Sequence, residues 1–187
     1  EREVALLGEA FDRVSAGVTE LMLVSGYSGI GKTSLVHELL KSLAGRNGYF
    51  VAGKFDQLAR DVPYGAMIHA LQALVRQVLS ESEGAVRAWK RDLVRALGPH
   101  ARVIVDVIPE VGLIVGEQPE APQLEPAEAQ NRFIRAFQNF FHVFADASHP
   151  LVVFLDDLQW ADSATFKVLQ AVLTRGGGGL LVIGAYR

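Results

Sequence analysis

The stretch VSGYSGIGKTSL, Val24–Leu35, sets Gly26, Gly29 and Gly31 close together and follows them with Lys32 and Thr33. Glycine costs about 0.5–1 kcal/mol relative to alanine inside a regular element, so the cluster marks a backbone path that other residues cannot follow. The spacing fits the template G-x-x-x-x-G-K-[ST], with Gly26, Gly31, Lys32 and Thr33 in the fixed places. In such a loop, here Gly26, Tyr27, Ser28, Gly29, Ile30, Gly31, Lys32, Thr33 and Ser34, the amide N–H groups turn inward as an anion-binding nest. The helix that follows adds the positive end of its dipole. A triphosphate fits both features, with Lys32 reaching the β- and γ-phosphates and the Thr33 hydroxyl in a Mg²⁺ shell.

The flanks agree with that reading. Leu21–Ser25 (LMLVS) is expected to be a short buried strand, and Leu35, Val36, Leu39, Leu40 and Leu43 recur at helical spacing. A strand thus runs into the loop and a helix runs out. The alternative is a glycine-rich turn that binds nothing.

The whole chain sets limits. Its 187 residues suffice for one domain and are short for two. Half of them are hydrophobic and 21% are charged, a globular composition. A net charge of −3 argues against a broad basic surface for nucleic acid. With no cysteine, disulfides, thiolate metal sites and thiol catalysis are excluded, which suits a reducing, cytoplasmic setting. The histidines His37, His69, His100, His142 and His149 form no close metal-binding pair. No apolar run reaches the ~20 residues of a membrane helix.

Further along, an amphipathic helix is predicted over Glu3–Ala16, with Val4, Leu6, Leu7, Phe11 and Val14 on one face. Tyr49–Gly53 reads as a second buried strand, and Lys54, Asp56 and Gln57 after it either approach the nucleotide site or belong to an ordinary loop. Helices are expected over Tyr64–Leu79, opened by Pro63, and over Gly84–Leu97. Arg102–Val115 is apolar and ambiguous. Gly116–Pro126 (GEQPEAPQLEP) is expected to be an exposed extended loop, and a long helix follows over Ala127–Ala147 with Phe133, Phe137, Phe140, Phe141 and Phe144 facing the core.

A second motif, PLVVFLDDLQWAD (Pro150–Asp162), sets five apolar residues before two aspartates. Continuous apolarity indicates a strand buried on both faces of a parallel sheet, and carboxylates at its carboxyl end face the ligand crevice. Asp156 is expected to orient the Mg²⁺ shell and Asp157 to polarise a water for in-line attack on the γ-phosphate. Asp162 is expected to cap the next helix, and Trp160 to pack over the strand end. The run Gly176–Gly179 precedes a strand rather than a helix, so it reads as a flexible turn and not as a second phosphate loop. Leu180–Gly184 is a fourth strand. Arg187 lies just past it, either to sense the γ-phosphate or as an exposed arginine.

Together, GYSGIGKTSLV, YFVAGKFDQ, EAQNRF, LVVFLDDLQWAD and LLVIGAYR resemble the AAA-like ATPase segment of large bacterial signalling proteins, among the signal-transduction ATPases with numerous domains. These join a serine/threonine kinase-like domain, the ATPase, a GAF domain and a sensor histidine kinase. The resemblance implies an α/β P-loop NTPase three-layer sandwich of the additional-strand type. It assigns Lys32, Thr33, Asp156 and Asp157 the Walker roles and makes Arg187 the first sensor. It also implies a fifth strand and a lid after this point. The expectation is therefore one truncated ATPase domain over residues 1–187, with a helical insert over about 63–126 and a parallel sheet in the order 1-4-3-2. ATP or ADP and Mg²⁺ are the expected cofactors. The expected partners are the kinase-like, GAF and histidine kinase domains of the same polypeptide, with self-association open and no membrane or nucleic acid. Two other activities stay open on the residues alone: a scaffold that holds nucleotide without turnover, and a P-loop kinase acting on a small molecule or peptide.

Overall fold

A computed structural model describes residues 2–27, 31–32, 34–36, 38, 47–57 and 63–187. Within them, strands β1 (Thr19–Ser25), β2 (Tyr49–Lys54), β3 (Leu151–Asp156) and β4 (Leu180–Tyr186) form a parallel sheet in the order β1-β4-β3-β2. Val24 lies opposite Ala185, while Val153 sits between Val51 and Val182. The strand order that the family resemblance implies is therefore the one observed, with β4 between the glycine-loop strand and the Asp156 strand.

The helices are α1 (Arg2–Ser15), α2 (Gly65–Leu79), α3 (Glu83–Leu97), α4 (Ala101–Val107), α5 (Glu110–Val115), α6 (Pro126–Phe144) and α7 (Ser163–Arg175), with helical residues also at 32, 34–36 and 38. Side chains alternate across a strand. Val152, Phe154, Leu181 and Ile183 accordingly meet Leu7, Phe11, Val14 and Val36 on one face. Val153, Leu155 and Val182 meet the apolar stripes of α2 to α7 on the other. The result is helices, sheet, helices, an α/β fold consistent with a P-loop NTPase.

β3 and β4 are buried along nearly their whole length, as unbroken apolar runs predict for central parallel strands. β1 departs from expectation. It pairs only with β4 among the described residues and alternates in burial, leaving Leu21 45% and Leu23 54% exposed. An apolar run in sequence does not say how far a neighbouring helix extends over the strand. Here α7 stops short of covering these two leucines, which line an apolar groove with Leu158, Phe166 and Leu173.

The ambiguous middle segment resolves into two short helices. Pro109 lacks an amide donor and restricts Ile108, so α4 ends there and α5 begins after it, with Ile104, Ile108, Val111 and Ile114 all buried. α6 starts at Pro126 and ends at Phe144, earlier than Ala147. Asp146 Oδ1 accepts from the Ser148 amide (2.8 Å) and hydroxyl (2.7 Å), an Asx turn that competes with the helix. Phe137, Phe140, Phe141 and Phe144 are fully buried, and Phe133 packs at their margin.

Two glycine positions carry geometric constraints. A Cβ on Gly53 would stand 2.1 Å from the Ala66 carbonyl oxygen, so the bare backbone of β2 is what lets α2 dock on the sheet. The Gly176–Gly179 run, which reads as a flexible turn, is tightly packed at its second half, Gly178 and Gly179. All four glycines have positive φ, and Cβ atoms on Gly178 and Gly179 would strike the backbone of Gly17 and Asp146 at 2.6 and 2.4 Å.

Candidate nucleotide site

All four strands point their carboxyl ends toward one edge of the sheet, the edge where ligands bind in open α/β sheets. The glycine loop leaves β1 there. Its first residue, Gly26, donates its amide to the Tyr186 carbonyl at 3.2 Å, which fixes the loop's entry beside the end of β4. Gly31, at φ +98°, adopts a conformation that favours glycine, and the Leu35 amide bonds its carbonyl at 2.8 Å as the helix begins. Ser28, Gly29, Ile30 and Thr33, also named from the sequence as nucleotide or metal contacts, lie outside the described residues, as do Leu39, Leu40 and Leu43 of the predicted helix.

Lys32 turns its ammonium back over the loop. Nζ donates to the carbonyls of Gly26 (2.6 Å) and Tyr27 (3.1 Å), while Tyr27 itself is exposed. A compact cation is thus held at the mouth of the loop by groups that a phosphate oxygen outcompetes as a charge-assisted acceptor.

Asp156 ends β3, and the strand's order continues past it: the Phe55 amide donates to the Asp156 carbonyl at 3.0 Å, and Asp156 Oδ1 accepts from the Asp157 amide at 2.9 Å. Asp157 sits in the left-handed region at φ 55°, ψ 42°, a conformation aspartate tolerates better than most residues. The turn continues into a short 3₁₀ segment, Leu158–Trp160, closed by a Trp160 amide to Asp157 carbonyl bond at 2.9 Å. Trp160 is partly buried against the helical core.

The Asp157 carboxylate is the centre of a small polar network. Gln159 Nε2 donates to Oδ1 at 2.9 Å, and Lys54 Nζ stands 3.6 Å from Oδ2. Arg187 Nε stands 4.0 Å from Oδ1, and the Arg187 amide donates to Gln159 Oε1 at 3.2 Å. The end of β2 brings Lys54 to Asp157 because Lys54 lies in register with Asp156. Gln159 was not singled out from the sequence. The signal was its position two residues after the aspartate pair, close enough to fold back on Asp157 once that residue turns left-handed. Asp162 takes its expected structural place, with Oδ1 accepting from the Thr165 amide at 2.8 Å at the start of α7.

Among the described residues no three His, Asp or Glu side chains gather as a metal cage. Mg²⁺ is commonly bound by one or two carboxylates together with substrate phosphates. Asp156, at the same edge of the sheet as the start of the glycine loop, offers a carboxylate of that kind. No described helix is long and apolar enough to cross a membrane.

Comparison with known proteins agrees with this geometry. The chain is similar to "Hybrid signal transduction histidine kinase G" of Dictyostelium discoideum, 40% identical over 173 residues that make up 92% of this chain and 5% of the relative. It is also similar to "Histidine protein kinase 1" of Candida albicans, 21% identical over 88% of this chain and 7% of the relative. "Peroxide stress-activated histidine kinase mak3" of Schizosaccharomyces pombe is 26% identical over 53% of this chain and 4% of the relative. The chain therefore spans a small fraction of the length of these histidine kinases, and the relatives are eukaryotic, so the bacterial setting of the sequence resemblance is not carried over. The AAA ATPase domain pattern matches residues 1–183, and the chain belongs to the AAA ATPase domain family.

Proposed function

We propose that this chain is the nucleotide switch of a multidomain signalling protein, binding ATP with Mg²⁺ and hydrolysing it slowly to ADP and phosphate. The observation that carries the reading is the gathering, at one sheet edge, of the Lys32 loop, the Asp156–Asp157 strand end and Arg187. Gly26 to Ser34 would cradle the phosphates, with Lys32 released from the Gly26 and Tyr27 carbonyls onto the β- and γ-phosphates. Thr33 and Asp156 would hold Mg²⁺, which when bound neutralises charge on the β- and γ-phosphate oxygens. Asp157 orients a water for attack on the γ-phosphorus: the new P–O bond forms as the bond to the β-phosphate oxygen breaks. Arg187 meets the γ-phosphate from the end of β4. The loss of that phosphate then changes what holds Asp157 and Arg187, which is the switch. By the sequence resemblance, serine/threonine kinase-like, GAF and histidine kinase domains of the same cytoplasmic polypeptide would read it, with residues 1–187 one ATPase domain and about 63–126 its helical insert.

A second reading, nucleotide held without turnover, is favoured by one specific feature. Gln159, Lys54 and Arg187 already surround the Asp157 carboxylate, which must be freed before it can polarise water. Calorimetric titration with ATP and ADP, with and without Mg²⁺, tests both readings. Binding that strengthens with Mg²⁺ and disappears in Lys32→Ala is the expected result. An intact wild-type chain that binds neither nucleotide would sink both readings for this chain, whereas binding without phosphate release would select the second.

A further inference from the structure

Helices α6 and α7 pack side by side on the helical face of the sheet, and between their outer surfaces runs an open groove of about 850 Å³. Its floor is built and closed. Gln138 Nε2 donates to the Ala171 carbonyl at 2.7 Å, Asn139 Nδ2 donates to the Ala96 carbonyl at 2.9 Å, and Arg175 Nη1 donates to Asn139 Oδ1 at 2.5 Å. Its walls are one-sided in charge. Arg135 from α6, and Lys167 and Arg175 from α7, line it, and no aspartate or glutamate does.

That composition is unusual for a chain whose net charge is −3. Several cations elsewhere on the surface have carboxylates close by: Arg13 with Glu20, Arg76 with Glu110, Arg87 with Glu83, Arg102 with Asp106. Arg135 and Lys167 make no ion pair with a described residue, and Arg175 bonds only a neutral amide. Gln130, Asn131 and Gln170, which also line the groove, offer amides that make no hydrogen bond to described residues. An amide both donates and accepts, which matches the alternating N–H and C=O of an extended polypeptide. The cations match its acidic side chains.

We propose that the α6–α7 groove is a docking site for an acidic, extended polypeptide segment of a partner. The lining residues of α6 run from Gln130 to Asn139, roughly 14 Å at 1.5 Å per residue. That is long enough for about four extended residues. Nucleic acid is the less fitting anion, because the only ring among the lining residues is the His100 imidazole and the chain as a whole carries a net charge of −3. The site lies on a helix pair rather than on the sheet edge of the nucleotide crevice, so it is independent of the nucleotide reading.

Fluorescence anisotropy with a labelled hexaglutamate peptide tests the groove, with hexaglutamine and a labelled oligothymidylate as parallel probes. Hexaglutamate should bind and hexaglutamine should not, and affinity should fall as salt is raised. The double variant Arg135→Glu, Lys167→Glu should weaken binding at least about tenfold. Gln170→Glu, nearly isosteric on exposed helix surface, should weaken it in the same direction and guards against misfolding of the double variant. Arg2→Glu, a charge change of the same sign on α1 across the sheet and larger than that of Gln170→Glu, should leave it unchanged. Absence of hexaglutamate binding, an equal loss in Arg2→Glu, or tighter binding of oligothymidylate than of hexaglutamate would each overturn the proposal.

Discussion

The backbone amide of Tyr64 donates a 3.1 Å hydrogen bond to Asp162 Oδ2, joining two points 98 residues apart in the chain. The same carboxylate accepts from the Thr165 amide (2.8 Å) and hydroxyl (2.5 Å). Tyr64 is itself left-handed at φ 63°, and its ring stacks on Phe133 at 4.6 Å. One side chain thus ties the start of α2, the start of α7 and, through Phe133, the face of α6, close after the Asp157 turn.

Asp162→Ala should therefore cost more than an ordinary helix cap. Loss of the cap and of the Tyr64 bond together is expected to destabilise by about 1–3 kcal/mol. A thermal melt should show it at roughly 2–4 °C per kcal/mol for a chain of this size. Asp162→Asn, which retains an acceptor oxygen, should fall in between. A melt unchanged in Asp162→Ala would show that the three-way tie contributes nothing.

Acid should act through the same group. Burial raises the Asp162 pKa, but the Thr165 hydroxyl and amide and the Tyr64 amide outweigh it and hold the carboxyl below its ordinary range. The native state therefore gives up this proton more readily than the unfolded chain. Its contribution is complete above the unfolded value, near 4, and is lost as pH falls through the native value. The melting difference between wild type and Asp162→Asn should shrink as pH drops below about 4. A difference that grew on acidification would contradict the assignment.

Alkali should act through two tyrosines. Burial, then the charge of Asp162, raises the Tyr64 pKa, while burial, then the hydrogen bond and charge of Glu81, raises that of Tyr49. Each ring stays protonated longer in the native state than in the unfolded chain. Their contribution is intact below the unfolded value, near 10, and declines as pH rises through the raised native values. Tyr49→Phe should be less stable than wild type at neutral pH, through loss of the Glu81 hydrogen bond, and should lose stability less steeply above about pH 10. Parallel alkaline melts of the two proteins would refute this.

Gly53→Ala should be severe for so small a change. Its Cβ would meet backbone rather than a flexible side chain, with the Ala66 oxygen at 2.1 Å, so α2 must move off β2. A cost of about 1–3 kcal/mol or more is expected from overpacking. Gly84→Ala, where a new Cβ would come no closer than 3.9 Å to the Ser82 hydroxyl, should be neutral or stabilising in the same denaturation series.

The sheet was legible because its signals are local and redundant: apolar runs at Leu151–Leu155 and Leu180–Gly184, glycines and a lysine after β1, paired aspartates after β3. The order 1-4-3-2 came from family resemblance, since nothing local in a strand names its neighbour. What stayed hidden depends on tertiary coverage. Leu21 and Leu23 read as buried because hydropathy reports side-chain chemistry, not whether α7 reaches over β1. Gly176–Gly179 read as slack because composition does not reveal that Gly17 and Asp146 press against the run. Gln159 was passed over because its role depends on the left-handed turn at Asp157.

The last prediction concerns that turn. If Asp157 handles water in ATP turnover, Asp157→Asn keeps the left-handed conformation, which asparagine also tolerates, and keeps an acceptor for Gln159. It removes only the charge and the ability to take a proton. Steady-state hydrolysis should then fall about 10²–10⁴-fold, as for loss of a general base, while ATP affinity changes little. Gln159→Ala should act on the same step less strongly, because it frees the carboxylate to rotate away and also releases the Arg187 amide. Lys54→Ala distinguishes two roles for the ion pair at 3.6 Å. If Lys54 holds Asp157 in a resting pose, its loss raises kcat; if Lys54 meets the γ-phosphate, its loss raises the ATP dissociation constant and lowers kcat. Turnover that is unaltered in Asp157→Asn would remove Asp157 from the chemistry and leave its network with Gln159 and Arg187 a structural tie at the end of the sheet.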